Sequence, residues 1–134
     1  MSTMVSVFDV AQYILQTIGA PISTMKLQKL VYYCQAWHLA WENVPLFNED
    51  FEAWANGPVC RELYNLHRGI FSLSKKDFAD ILKQNNKQVS SLPKKEQETV
   101  DSVIEFYGKK EPAWLSACTH AERPWKQHMK ITTK

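Results

Sequence analysis

The sequence has little of what membrane proteins and several common classes of enzyme depend on. Its 134 residues include four glycines, which form neither a Gly-x-Ser-x-Gly turn nor a phosphate-binding loop. No stretch approaches the roughly 18 consecutive apolar residues that cross a bilayer, and the N-terminus lacks the basic region of a signal peptide. We therefore expect a soluble cytoplasmic protein that has no contact with the membrane.

Cysteine and net charge are also low. Cys34, Cys60 and Cys118 lie far apart and are odd in number, which favours reduced thiols in the core over a disulfide framework. The formal net charge of +2 is too small to drive sequence-independent binding to phosphate groups. Neither feature identifies a partner.

The histidines do not follow the spacing of metal ligands. None pairs with Cys, Asp or Glu in a pattern such as His-Glu-x-x-His, so the sequence predicts no metal site and no cofactor. Structural roles in the core are the better interpretation. The four are His38, His67, His120 and His128.

Helical periodicity and capping signals predict that most of the chain is α-helical. Apolar residues recur every three or four positions from Val7 to Ile18, after a Ser6–Asp9 capping pair and before Gly19. A second, longer helix is expected to begin after Ser23. The predicted helices run from Val7 to Ile18, from Ser23 through Trp41, from Pro58 to near Gly69, from Ser74 to near Gln84, from Pro93 to Gly108, and onward from Pro112.

The segment between the second and third predicted helices differs in pattern. Residues 44–54 contain two Phe and one Trp without helical spacing, which favours short strands. We therefore predict a mainly α protein with a single domain over residues 1–134. Its expected architecture is a bundle of about six helices with a small extended segment between helices two and three, and a frayed basic tail over residues 126–134.

The aromatic content is typical of a protein-binding surface. The chain has five Trp and five Tyr, which bury much area at interfaces while keeping a polar group. On the second predicted helix, Leu27, Leu30, Cys34 and Trp41 form an apolar face that a core alone would explain. An amphipathic flank beside that face is expected to be exposed, either as a recognition surface or as a solvated one. It consists of Lys26, Lys29, Tyr32, Tyr33 and Gln35.

Several blocks of sequence together resemble the Panacea domain family of SocA-like antitoxins and phage-associated GepA-like proteins. The first block is Ile22–His38, which includes Leu27, Leu30 and Trp37. The others occur in the same order as in the family and extend over nearly the whole chain. They are Pro45-Leu46-Phe47, Glu52-Ala53-Trp54, Gly57-Pro58-Val59 with Tyr64, and Leu115–Trp125, which contains Thr119, His120 and Pro124-Trp125.

The resemblance implies a mostly helical antitoxin of a bacterial or phage toxin–antitoxin system. Such a protein binds a cognate toxin directly, or delivers it to a protease such as a Clp-type AAA+ protease, and neither mode requires catalysis by the antitoxin. The resemblance does not determine whether the protein forms a homo-oligomer. We expect the partner-binding residues on the flank of the second helix and at the turn that follows. They are Lys26, Lys29, Tyr32, Tyr33, Gln35, Trp54, Gly57 and Pro58.

Two alternatives come from other functional classes. A nucleic-acid-binding phage regulator would use the doublets Lys75-Lys76, Lys94-Lys95 and Lys109-Lys110, although no helix-turn-helix motif accompanies them. A hydrolase would use His120 and Glu122. A histidine just past a helix end more often bonds the last carbonyl groups of that helix, so the sequence favours a protein that is not an enzyme.

Overall fold

The computed structural model describes residues 5–110 and the backbone of residues 131–133. In chain order the elements are α1 (Val7–Ile18), β1 (Ile22–Ser23), α2 (Thr24–Glu42), β2 (Phe51–Trp54), β3 (Gly57–Cys60), α3 (Arg61–His67), β4 (Ser72–Leu73), α4 (Lys75–Gln84), α5 (Lys94–Tyr107) and β5 (Ile131–Thr133). The mainly helical prediction is confirmed. Five helices lie in the described part, and the sixth predicted helix, from Pro112, lies outside it.

Helix ends follow the capping signals in the sequence. Ser6 and Asp9 form a reciprocal capping box at the start of α1, and Gly19 ends that helix with φ 76°. Ser74 and Asp77 form the same arrangement at the start of α4. These bonds satisfy backbone N–H groups that a helix leaves unpaired in its first turn. Ser23 caps α2, and Pro93 directly precedes the first residue of α5. The predicted starts of α1, α2, α4 and α5 are therefore confirmed.

Two small sheets accompany the helices, which corrects the prediction of a single bundle. Strand β1 pairs with β4, and the second sheet has the order β3-β2-β5. Strands β2 and β3 form an antiparallel hairpin in which Trp54 pairs with Gly57, so the extended segment between α2 and α3 is confirmed. Strand β5 runs parallel to β2 and includes three residues of the segment that the sequence predicted to fray.

The start of the third helix was predicted wrongly. Pro58 was expected in its first turn, but it lies in β3, and α3 begins at Arg61. Gly57 has φ 114°, a conformation that glycine adopts without the steric cost of a side chain. The Gly57-Pro58 pair is therefore the beginning of β3, the return strand of the hairpin.

Helix α2 is the centre of the fold. It packs against α1, α5 and β3, and it contributes Leu27, Leu30 and Cys34 to the core, each with no exposed surface. Trp41 was expected on the same face, but it is 51% exposed in the last turn of the helix, where its ring stacks on Trp37, so the prediction is wrong for this residue. A helix that is surrounded by neighbours on several sides buries polar as well as apolar residues. This position explains why α2 lacks the clear two-sided pattern of a surface helix.

No helix among the described residues combines the length and the apolar character needed to cross a membrane.

The buried thiols agree with the prediction for two of the three cysteines. Cys34 and Cys60 are buried and not in a disulfide, and burial raises the pKa of Cys60 to about 12. Cys118 lies outside the described residues.

Candidate functional site

The flank of α2 that was expected to be exposed is mostly buried. Lys29, Tyr32, Tyr33 and Gln35 keep between 0% and 6% of their surface exposed, so the prediction of exposure is wrong for these four residues. The physical reason is that β3 and α5 pack against this helix and Phe51 of β2 packs on Tyr32. Their proposed contact with a partner stays a prediction.

The buried polar side chains of α2 bind backbone groups of the segment that follows. Gln35 accepts from the backbone N–H of Leu46 at 2.7 Å and donates to the carbonyl of Phe47 at 2.8 Å. Gln28 bonds both backbone groups of Cys60, accepting from N at 2.8 Å and donating to O at 3.2 Å. These bonds replace those that the backbone would make with water. The Gln35 bonds fix the segment before the hairpin against α2, and the Gln28 bonds fix the return strand.

The two tyrosines pack against aromatic rings of other elements. Tyr33 stacks on Tyr107 of α5 with ring centroids 4.0 Å apart, and Tyr32 meets Phe51 of β2 edge-on at 5.5 Å. Trp37, which is half-buried, donates from Nε1 to the Tyr107 hydroxyl at 3.0 Å. The two tyrosines therefore join α2 to α5 and to the hairpin.

Lys26 and Lys29 contact different elements of the fold. It is half-buried, and its Nζ donates to the carbonyl oxygen of Gly108 at the end of α5. A cation at this position interacts favourably with the negative end of a helix. Lys26 therefore fastens α5 to α2, while Lys29 reaches the hairpin.

Trp54 is held at the tip of the hairpin by charged and aromatic neighbours. Its Nε1 donates to Glu52 at 2.8 Å, and the same carboxylate pairs with Arg61 at 3.2 Å. The Arg61 guanidinium lies 5.2 Å from the centroid of the Trp54 ring, and Tyr64 meets that ring edge-on at 4.8 Å. These contacts fix the orientation of the indole.

A cavity of about 240 Å³ lies between the start of α2, the tip of the hairpin and α3. Most of its surface is apolar, and a few polar groups lie between the apolar ones. We call it the Trp54 cavity. Its lining residues are Thr24, Met25, Gln28, Lys29, Trp54, Ala55, Asn56, Val59, Tyr64 and His67.

Lys29 is the charged residue in the lining of this cavity. Its side chain is 1% exposed, and its Nζ donates to the carbonyl oxygen of Pro58 at 3.2 Å. Burial lowers the pKa of Lys29 to about 8, because removing an ammonium group from water disfavours its charged form. The lysine is therefore mostly protonated at neutral pH but easier to deprotonate than a surface lysine.

Gln28 and His67 form the buried polar side of the cavity. The side-chain nitrogen of Gln28 lies 2.9 Å from Nε2 of His67. Because the Gln28 oxygen accepts from Cys60 N, the amide nitrogen is the donor, and His67 Nε2 is the acceptor. Burial lowers the pKa of His67, which favours this neutral imidazole.

The structure brings only part of the predicted site together. Lys29 and Trp54 both line the cavity, and Pro58 contacts Lys29, with Gly57 preceding it. Lys26, Tyr33 and Gln35 bind elsewhere. Sequence reasoning missed Thr24, Met25 and His67, because their contribution depends on how α2, the hairpin and α3 meet, and no local pattern signals that.

The other predicted groups divide between described and undescribed residues. The doublets Lys75-Lys76 and Lys94-Lys95 begin α4 and α5, and Lys109-Lys110 follows α5, so their predicted positions at helix ends are confirmed. Lys95 pairs with Glu42 at 3.3 Å. Within the described residues, no group of three or more His, Cys, Asp or Glu side chains is arranged to hold a metal. The predicted positions Thr119, His120, Glu122, Pro124 and Trp125 lie outside that part of the chain.

Exposed apolar side chains are carried by Met25 of the cavity lining and by a segment whose backbone bonds that lining. Phe71 is 83% exposed, Met25 is 40% exposed and Ile70 is 37% exposed. Thr24 ties the backbone of residues 70 and 71 to the cavity wall, since its N donates to Phe71 O at 2.8 Å and its Oγ1 donates to Ile70 O at 2.9 Å. We call the Trp54 cavity together with Met25, Ile70 and Phe71 the cavity face.

Comparison with known proteins identifies the family. The family model described as "Antitoxin SocA-like, Panacea domain" matches residues 27–126. Antitoxin SocA of Caulobacter vibrioides is 32% identical over 115 residues, which cover 81% of this chain and 60% of the relative. No solved structure matches the chain. The matched region contains α2 from Leu27 onward, the hairpin and most of the cavity lining, and the chain belongs to the Panacea-domain family of SocA-like antitoxins.

Proposed function

We propose that this protein is an antitoxin that neutralises a cognate toxin by binding it directly, without catalysis. The observation that carries the proposal is membership of the SocA-like family, together with the similarity to a protein named Antitoxin SocA. This chain spans 60% of the length of that relative. The proposal therefore concerns toxin binding by the shared domain, and it leaves the rest of the relative aside.

The cavity face is the proposed binding surface. Exposed Phe71, Ile70 and Met25 form apolar surface next to a concave site that contains Trp54. Large exposed apolar groups beside a pocket with a few polar groups are typical of protein interfaces. An aromatic side chain that is 83% exposed, such as Phe71, contributes little to the core and much to a contact that covers it.

The residues first predicted to bind the partner receive two different roles in this proposal. Trp54 and Lys29 contact the toxin at the cavity face. Tyr32, Gln35, Gly57 and Pro58 hold the hairpin and the segment before it in position against α2, and Tyr33 and Lys26 hold α5. Changes at this second group should affect neutralisation in proportion to their effect on folding.

A pair of variants tests the location of the binding surface. The protein is co-expressed with a small adjacent reading frame whose product is toxic alone, and growth is measured. Phe71→Ser should abolish rescue, whereas Phe106→Ser, which changes a 64% exposed Phe of α5 outside the cavity lining, should preserve it. Both variants should melt within a few degrees of the wild type, because surface changes alter stability little. Equal rescue by the two variants would contradict the proposed surface.

A second experiment separates direct binding from delivery to a protease. Purified protein and toxin are mixed in the absence of any protease, and complex formation and toxin activity are measured. Direct neutralisation predicts a stable complex with an inactive toxin. It also predicts that rescue in cells persists after deletion of the Clp protease genes. Loss of rescue on that deletion would instead favour the adaptor mode.

A further inference from the structure

Lys29 is a buried cation that lacks an acidic neighbour in the cavity it lines. In the part of the chain that the structure describes, none of the ten lining residues is Asp or Glu. The acidic side chain at the rim, Glu52, already pairs with Arg61 at 3.2 Å and with the indole of Trp54 at 2.8 Å. An ammonium group has three donors, and the hydrogen bond that Lys29 makes within the described residues is donated to the Pro58 carbonyl.

A buried charge of this kind costs stability. Taking an ammonium group out of water is unfavourable unless it is paired and hydrogen-bonded. The start of α2 adds little to this charge, because Thr24 N and Oγ1 already donate to Phe71 O and Ile70 O. Lys29 is therefore the group in the described lining that makes the cavity complementary to an anion.

The size and rim of the cavity indicate what kind of anion fits. A volume of about 240 Å³ is below the roughly 300–1,000 Å³ of pockets that enclose a small-molecule ligand. The rim carries apolar surface on two sides, Met25 from α2 and Trp54 from the hairpin, and the 83% exposed Phe71 is joined to the lining through its carbonyl bond with Thr24. A single acidic side chain of a protein could enter the cavity while its flanking residues cover this rim.

We propose that the Trp54 cavity is a carboxylate-binding site that receives one Asp or Glu side chain of the partner protein, which forms an ion pair with Lys29. Trp54 and Tyr64 pack against the methylene groups of that side chain. The ion pair is shielded from water, so it is stronger than one on the surface. This inference rests on the proposed function for the identity of the partner, but the binding site itself can be tested without any toxin.

The test uses three small probes and NMR of the full-length protein. N-acetylglutamate N-methylamide carries a side-chain carboxylate, N-acetylglutamine N-methylamide is its neutral match, and N-acetylalanine carries the carboxylate of a chain end. The glutamate probe should shift the Trp54 indole and Lys29 side-chain signals, with a dissociation constant roughly tenfold lower than those of the other two probes. Equal affinity of the glutamate and glutamine probes would overturn the proposal, as would tighter binding of N-acetylalanine.

Two matched variants assign the effect to Lys29. Lys29→Met removes the charge and keeps most of the side-chain volume, whereas Lys26→Met makes the same change at a lysine of α2 that bonds Gly108 instead of the cavity. Lys29→Met should lose the preference for the glutamate probe and lose toxin binding, and Lys26→Met should keep the preference. Unchanged preference in a folded Lys29→Met protein would overturn the proposal.

A direct titration tests whether the chain itself supplies the missing carboxylate. The Lys29 amine of the free protein should titrate near pH 8, and the toxin or the glutamate probe should raise its pKa. His67, Tyr64, Arg61 and Glu52 also face or border this site, so the Lys29 signal must be followed individually. A Lys29 pKa near its ordinary value of 10.5 in the free protein would overturn the inference.

The two proposals fail in different ways. A protein that binds the glutamate probe through Lys29 but neutralises no toxin would contradict the antitoxin proposal and leave the carboxylate site in place. A protein that neutralises its toxin while Lys29→Met has no effect on toxin affinity would contradict the carboxylate site and leave the antitoxin proposal in place.

Discussion

The Nζ of Lys29 donates a hydrogen bond of 3.2 Å to the carbonyl oxygen of Pro58. This contact joins the N-terminal half of α2 to the return strand of the hairpin, and it places a buried ammonium group beside the Trp54 cavity. Stability and binding therefore make opposite demands on the same residue. The group that would recognise a carboxylate is costly to bury while that carboxylate is absent.

Lys29→Met should stabilise the free protein at neutral pH. The lysine pKa falls from 10.5 to about 8, and one pKa unit corresponds to about 1.4 kcal/mol, so burial of the charge costs roughly 3 kcal/mol at most. Loss of the hydrogen bond to Pro58 offsets part of this gain. Urea denaturation at pH 7 should show a higher free energy of unfolding for Lys29→Met than for the wild type. A loss of stability would mean that the charge is already compensated.

The lowered pKa of Lys29 also predicts how the free energy of unfolding depends on pH. Between about pH 8 and pH 10.5, the unfolded chain binds more protons at Lys29 than the folded protein does, so the contribution of this group to stability rises with pH. The difference in unfolding free energy between Lys29→Met and the wild type should therefore shrink across this interval. Measuring both proteins at the same pH values cancels the titration of the other groups, and a constant difference would contradict the prediction.

Gln28 should be essential for folding although it is polar. Its side chain bonds Cys60 N, Cys60 O and His67 Nε2, and Gln28→Leu would leave these buried groups without their partner. Each unsatisfied group costs about 1–3 kcal/mol, so we expect a loss of about 3 kcal/mol or more by thermal denaturation. Gln16→Leu, at an exposed position of α1, is the matched control and should change stability by less than about 0.5 kcal/mol.

The sequence was informative where structure is decided locally. Ser6 with Asp9, Ser74 with Asp77, and Gly19 are short-range signals, and the structure uses each as predicted. Exposure on α2 was not predictable in this way. Lys29 and Gln35 are polar residues at helical spacing that look solvated, and only the backbone carbonyls of Pro58 and Phe47 make their burial possible.

The candidate site depends even more on tertiary structure. Trp54 and Lys29 were predicted as members of one site because both occur in the family blocks, and they line the same cavity. His67 completes the wall through its bond to Gln28, across 39 positions in the chain. No periodicity links residues so far apart, and a helix-end histidine has many local uses.

Gly57 should tolerate substitution less well than Gly19 does. Gly57 has φ 114°, outside the left-handed helical region, whereas Gly19 has φ 76° and ψ 3° as a helix cap. Asparagine is accepted at such caps, so Gly19→Asn should cost less than about 1 kcal/mol. Gly57→Asn should cost about 1–3 kcal/mol through backbone strain. Thermal denaturation of the two variants measures the difference, and equal costs would show that the hairpin adapts.

Acid should destabilise the protein through its buried histidines. Desolvation lowers the pKa of His67 and of His38, and for His38 the negative charges of Glu96 and Glu42 oppose that effect. The unfolded chain then binds more protons below about pH 6.5, so the free energy of unfolding should fall as the pH drops from about 6.5 toward the folded-state pKa values.

His67 should account for an identifiable part of this acid sensitivity. Protonation places a hydrogen on His67 Nε2 and removes the acceptor that Gln28 requires. His67→Gln keeps an acceptor for Gln28 but has no imidazole to titrate, so its unfolding free energy should depend less on pH between 7 and 5 than that of the wild type. NMR should place the His67 pKa below its ordinary value in the wild type. Equal pH dependence of the two proteins would show that His67 does not contribute to the acid response.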